Sequence, residues 1–310
     1  MTDSSGRPAG PETTRIAVDL LGGDDAPAVV VDGALLALDA DPELRLHLVG
    51  PREVADEVLA TCAPGDRDRC TVEPVRAVVG MSDAPSRAMR HDTTVRAGVA
   101  AVAEGRAHAL VSAGMSGATV TAATLGLGRL PGVRKPALAA LLPGQVNPVV
   151  LLDVGATPEL SATVLVQHAA LGAGYAIRVL GLPVPRIGLL SIGIEPGKGD
   201  RARRAADEAL RAGQRGYVGI VEGGDVPLGG PADVVVTDGF TGNVLLKGVE
   251  GAFALAGGVA PPQRVPRAAA LLGVGGTVVV CHGAATGTDL ASGIALAVRL
   301  HQTNLVEVRS

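Results

Sequence analysis

The sequence predicts an α/β protein: a mainly parallel sheet sandwiched by helices. Short Val/Ile/Leu runs recur at 16–20, 45–49, 109–112, 149–154, 187–192, 217–222, 233–237 and 277–281. Segments with helical spacing lie between most of them, at 29–40, 95–105, 161–181, 200–212 and 241–256, an alternation that builds βα units. The runs are nearly continuous in apolar residues, as in VVLLDV and DVVVTD, which suits strands covered on both faces.

Residues 1–14 (MTDSSGRPAGPETT) are polar, Pro/Gly-rich and aperiodic, and read as a flexible leader. From Arg15 the elements follow one another without a 20–50-residue repeat, giving a single α/β domain over 15–310 with room for two lobes about a cleft. Residues 128–147 and the Pro-rich 257–267 read as linkers. With 43 Gly and 21 Pro in 310 residues, the runs are punctuated by tight turns.

Composition excludes several functions. The formal charge is −4 and the charges are interspersed, so no nucleic-acid surface is expected. Trp is absent, and Tyr175, Tyr217, Phe240 and Phe253 are too few to form stacking platforms. Three cysteines without CxxC spacing and no secretory signal point to a reducing cytoplasm. The longest apolar stretches are broken before the ~18 residues a bilayer span needs. No metal site or cofactor is expected. Of 27 basic residues only Lys135, Lys198 and Lys247 are lysine, so an ammonium group there invites a functional explanation.

In open α/β sheets ligands collect beyond the carboxyl ends of strands. Four turns stand out there: DLLGGDDAP (19–27), SAGMSGAT (112–119), LDVGAT (152–157) and TDGFTGNVLLK (237–247). Each offers backbone N–H groups where a strand hands over to a helix, the makings of an anion site. Glycines in a lone turn need mean no more than positive φ; four turns on one edge of the sheet point to a phosphate-class ligand. In the last turn Asp238 ends the strand, Gly239 and Gly242 free the backbone, and Thr241 or Asn243 can donate. Lys247 shares a helix face with Asn243.

These segments, with PRIGLLSIG, the run from SAGMSGAT to RKPALAALLP, and LLGVGGTVVVCHG, resemble in order, from about Arg15 to Arg299, the PlsX family of phosphate acyltransferases. The resemblance implies an isocitrate/isopropylmalate dehydrogenase-like architecture. It also implies transfer of a fatty acyl group from acyl-acyl carrier protein to inorganic phosphate, giving acyl phosphate in fatty acid and phospholipid metabolism. A homodimer is implied too. Lys247, Asn243, Asp238 and His282 become catalytic candidates. Asp19, Gly22, Gly23, Asp24, Thr93, Thr94, Ser112, Gly114, Ser116, Gly117, Lys135, Asp153, Gly155, Lys198, Gly239, Thr241 and Gly242 become contacts for substrate or phosphate. Phosphate dianion is itself nucleophilic, so the chemistry needs charge neutralisation, alignment and oxyanion donors, and no Ser-His-Asp triad.

The chain departs from the family pattern within these turns. Asp25 replaces His, Met115 replaces Asn at the start of a helix over 116–126, and Thr157, Ser191 and Ile220 replace Asn. Ala284, Ala285 and Thr286 stand in the HGSSDA turn, and a basic residue expected before Thr93-Thr94 is missing near Arg90. Weakened or redirected catalysis is therefore expected. The alternative is a catalytically altered relative that binds acyl carrier protein or acylates another acceptor. A dehydrogenase on the same fold lacks its acidic metal cluster and GxGxxG fingerprint. Prolines at 261, 262 and 266 break the family's helical hairpin, so membrane association is not expected and the dimer is expected to differ.

Overall fold

The computed structural model describes residues 13–80, 82–84, 86, 92–195, 197–255 and 267–305. In chain order the elements are β1 (Arg15–Asp19), α1 (Ala28–Ala40), β2 (Arg45–Gly50), α2 (Arg52–Thr61), β3 (Cys70–Pro74), α3 (Thr94–Ala103), β4 (Ala109–Ser112), α4 (Ser116–Gly126), β5 (Ala137–Leu142) and β6 (Val149–Leu152). There follow α5 (Ala162–Leu180), β7 (Ile187–Leu190), α6 (Arg201–Gly213), β8 (Tyr217–Val221), α7 (Asp225–Leu228), β9 (Val234–Val236), α8 (Gly239–Leu255), β10 (Ala268–Leu272), β11 (Thr277–Cys281) and α9 (Gly287–Gln302). The expected α/β sandwich is present. Strands alternate their side chains between two apolar layers: Ile16 and Val18 pack with α1, α5 and α9, while Ala17 and Leu110 pack with α3 and α4.

Three expectations are corrected. The supposed linker 128–147 contains β5. Both β5 (ALAALL) and β10 (AAALL) are built from Ala and Leu without β-branched residues, so propensity hides them. Most of the second supposed linker, and residues 1–12 of the leader, lie outside the described residues, but Thr14 belongs to the fold: it is buried and its carbonyl accepts from Arg45 N at 2.9 Å. Finally, α5 is long and apolar enough by length and composition to cross a membrane. Its buried face, including Leu165, Ala169, Gly172 and Ala176, covers the sheet.

The eleven strands form one sheet in the order β3-β2-β1-β4-β11-β10-β5-β6-β9-β7-β8. The flanks β3-β2-β1-β4-β11 and β6-β9-β7-β8 are each parallel. Between them, β10 is antiparallel to both β11 and β5, and β5 is antiparallel to β6. Register fixes the consequence: Cys281 lies opposite Ala268, Leu272 opposite Ala137, and Ala139 opposite Leu152. The carboxyl ends of β1, β4 and β11 therefore share one edge, and those of β6, β9 and β7 the other. The four glycine turns do not share an edge, as expected from sequence; they divide two and two, because the antiparallel middle reverses the strand direction.

Candidate active site

On the first edge, β1 delivers Asp19 into a buried position where its carboxylate accepts the Ser112 hydroxyl at 2.8 Å and Leu21 N at 3.2 Å. Ser112 Oγ in turn accepts Gly114 N at 3.1 Å. Burial raises the Asp19 pKa, against the pull of these donors. Thr94, fully buried at the start of α3, lies close enough to lower that pKa, yet its hydroxyl has no partner in hydrogen-bond geometry. A Cβ on Gly22 would sit 2.7 Å from Gly114 N, so the β1 and β4 turns meet backbone to backbone. The β11 turn joins them through Asp24 N, which donates to Gly283 O at 2.8 Å. His282 is exposed, and its Nδ1 accepts Ala284 N at 3.0 Å, leaving Nε2 to carry the proton of the neutral ring.

Met115 is the N-cap of α4, with no side-chain cap bond, and packs against the apolar layer. Ser116 and Gly117 thus open a helix whose first N–H groups lack a side-chain acceptor at the cap. Thr93 likewise caps α3 without a side-chain bond to its N–H groups.

The second edge is arranged differently. Asp153 is fully buried and its carboxylate is saturated: Oδ1 accepts Leu138 N, Gly155 N and Ala156 N at 3.0, 3.0 and 2.8 Å, and Oδ2 accepts Thr157 N at 2.7 Å. Burial raises its pKa in opposition to these bonds. Asp153 therefore organises the β6 turn and the start of β5. Gly242 packs onto the same turn so closely that a Cβ would collide with the Asp153 carbonyl. Gly239 N donates to Thr157 O at 2.8 Å.

Asp238 is also consumed. Its oxygens accept Thr241 N and Thr241 Oγ1, both at 2.9 Å, and the guanidinium of Arg203. Burial works to raise its pKa, but Thr241 and Arg203 outweigh it and hold the carboxyl below its ordinary value. Asp238 braces the turn at the start of α8. Asn243 spends its amide on Val154 O at 3.1 Å, which couples the β9 and β6 turns and leaves its oxygen as the free end. Lys247 extends from α8, exposed, with Glu250 at 3.0 Å. Lys135, just before β5, and Lys198, after β7, are exposed and make no ion pair among the described residues. All three lysines thus lie along the second edge.

Two residues missed by sequence reasoning hold this edge in place. Arg203, on α6, is largely buried and donates to Leu190 O at 3.0 Å, Thr237 Oγ1 at 3.1 Å and Thr241 Oγ1 at 3.3 Å, besides pairing with Asp200 and Asp238. Among arginines 201, 203 and 204 nothing in the sequence distinguishes it. His168, fully buried on α5, places Nε2 at 3.2 Å from Lys135 O; burial pushes its pKa down to about 4, so the neutral ring donates. Its neighbour Gln167 accepts Arg134 N and donates to Gly132 O, clasping the same segment.

The family model for "Fatty acid synthesis protein" matches residues 14–263. A phosphate acyltransferase of Heliobacterium modesticaldum is 36% identical over 321 residues, covering 94% of this chain and 95% of its own. One from Thermobifida fusca is 41% identical over 317 residues, covering 92% and 87%. Among solved structures, a phosphotransacetylase from Streptococcus pyogenes aligns over 94% of both chains with a TM-score of 0.66 at 17% identity. A 4-hydroxythreonine-4-phosphate dehydrogenase from Klebsiella pneumoniae aligns over 94% of this chain and 100% of its own, with a TM-score of 0.57 at 18% identity. The last two show the shared architecture, and the first three establish descent: this chain belongs to the fatty acid synthesis protein family of phosphate acyltransferases, the PlsX family, and is an acyltransferase.

Proposed function

We propose that the protein transfers a fatty acyl group from an acyl-acyl carrier protein thioester to inorganic phosphate, supplying acyl phosphate for lipid synthesis in the cytoplasm. A phosphate oxygen attacks the thioester carbonyl, the tetrahedral oxyanion collapses, the C–S bond breaks, and the carrier thiolate leaves and takes a proton. The observation that carries this reading is the gathering of Lys135, Lys198 and Lys247 on one sheet edge of a chain that otherwise uses arginine. Asp153 and Asp238 on this edge are occupied by backbone N–H groups and Arg203, and Lys247 is paired with Glu250, so Lys135 and Lys198 are the ammonium groups that face an added anion without an ion-pair partner among the described residues. The Thr94 hydroxyl and the uncapped start of α4 supply neutral donors on the other edge. A homodimer remains part of this reading, with Leu125, Ile177 and Leu255 among the exposed apolar residues available to a second copy.

The decisive assay incubates the protein with palmitoyl-acyl carrier protein and phosphate and follows acyl phosphate and free thiol together. Stoichiometric appearance of both is expected; thiol without acyl phosphate would overturn phosphate as acceptor. A second reading, an altered relative acylating a different acceptor, is favoured by Met115, which packs its thioether into the apolar layer where the family pattern has a donor.

A further inference from the structure

We propose that the surface formed by residues 191–195, residues 197–200 and the start of α8 docks an acidic carrier protein bearing the acyl thioester. The inference rests on the acyl-transfer reading above and adds where the donor binds. Arg203 makes this surface one unit, because the same guanidinium holds Leu190 O at the end of β7, Asp200 at the start of α6, and Asp238 and Thr241 at the start of α8. Strands β7 and β9 are also neighbours, so their turns lie side by side.

What this unit exposes is unusual for the molecule. Ile192 is 81% exposed, Ile194 65%, Phe240 67% and Val244 58%. The chain has four aromatic residues; Tyr175 is buried, whereas Phe240 stands in solvent. Exposed apolar residues grouped in this way mark an interaction surface. Around them stand Lys198, Arg201 and Arg204, all exposed. Arg203 pairs with both Asp200 and Asp238, a trio that keeps one negative charge, and with Glu195 against Lys198, Arg201 and Arg204 the surface carries a net surplus of one positive charge. An apolar face ringed by exposed Lys198, Arg201 and Arg204, net positive on a chain of charge −4, fits a partner that is acidic around an apolar strip. The thioester's carrier is the macromolecular substrate that must reach this edge, because Lys198 and the start of α8 belong both to the surface and to the candidate active site.

Initial rates with two donors test this: palmitoyl-acyl carrier protein and palmitoyl-pantetheine, which has the same reactive group and no protein. For Arg201→Glu combined with Arg204→Glu, and separately for Ile192→Ser, KM for the protein donor should rise about tenfold or more. Kinetics with palmitoyl-pantetheine should be unchanged, and the salt dependence of the protein donor should weaken in the charge variant. Equal losses with both donors, or no change with the protein donor, would overturn the assignment. So would conversion of a dimer to monomers by Ile192→Ser in light scattering, which would give the surface to a second copy. If the wild type makes no acyl phosphate from either donor, the acyl-transfer reading fails. Calorimetric titration with acyl carrier protein then still decides the docking surface: binding lost in the charge variant supports it, and absence of binding to the wild type refutes it.

Discussion

The two edges of the sheet treat their carboxylates in opposite ways. At the first edge Asp19 takes a hydroxyl and a backbone N–H and stands beside the unpartnered Thr94 hydroxyl, so polar capacity remains beside it. At the second, Asp153 and Asp238 are filled by the turns they stabilise, and the groups left facing outward are lysines. A carboxylate at a strand end is thus no sign of acid-base chemistry: its hydrogen-bond occupancy decides whether it builds the site or acts in it.

The sharpest way to break this contrast is to remove Arg203. Arg203→Met leaves Asp238 largely buried without its cation, which should cost about 3–5 kcal/mol of stability, measured by denaturant unfolding; a loss below about 1 kcal/mol would show that the second edge does not depend on that pair. The pH dependence of stability gives the next largest effect. His168 titrates near 4 when folded and near 6.5 when free. Its folded pKa is depressed, so the unfolded chain binds the extra proton between those values. Stability from this group is full above pH ~6.5 and falls toward pH 4, by about 3 kcal/mol in total. His168→Leu should flatten that slope by nearly one proton, and an unchanged slope would mean that the ring is not held neutral.

Smaller effects separate the lysines. Lys135→Ala and Lys198→Ala should each raise KM for phosphate about tenfold, roughly the 1.4 kcal/mol of one charge-assisted contact. Lys247→Ala should do less, because Glu250 already holds that ammonium. Phosphate saturation curves for the three variants would rank them, and an effect confined to Lys247 would reverse the assignment. Smallest is Met115→Asn, expected to increase turnover a few-fold by restoring a donor at the start of α4. A slower variant would show that Met115 is an adaptation to another acceptor.

Much of this was legible in the chain. The Val-rich runs mark β1, β2, β4, β6, β7, β8, β9 and β11, and the glycine turns mark the strand ends where the candidate residues lie. The shared edge was misread because strand direction depends on β5 and β10, whose alanine-rich sequences become strands only between neighbours already in place. The ion pair of Asp238 was not legible, because its partner Arg203 comes from α6, a contact that sequence spacing does not encode. His168 was hidden for the converse reason, being one polar residue on the buried face of a helix.

The strand order also imposes a schedule on synthesis. β11, which closes the first flank, comes from residues 277–281, although its neighbour β4 ends at Ser112. Helix α9, which packs on α1, is made later still. Until that stretch leaves the ribosome, β4 presents an unpaired edge and the α1 face of the nascent sheet lacks its cover, conditions that favour mispairing with other chains. The first edge of the candidate active site, though encoded mostly in the N-terminal third, is therefore among the last parts of the enzyme to be assembled.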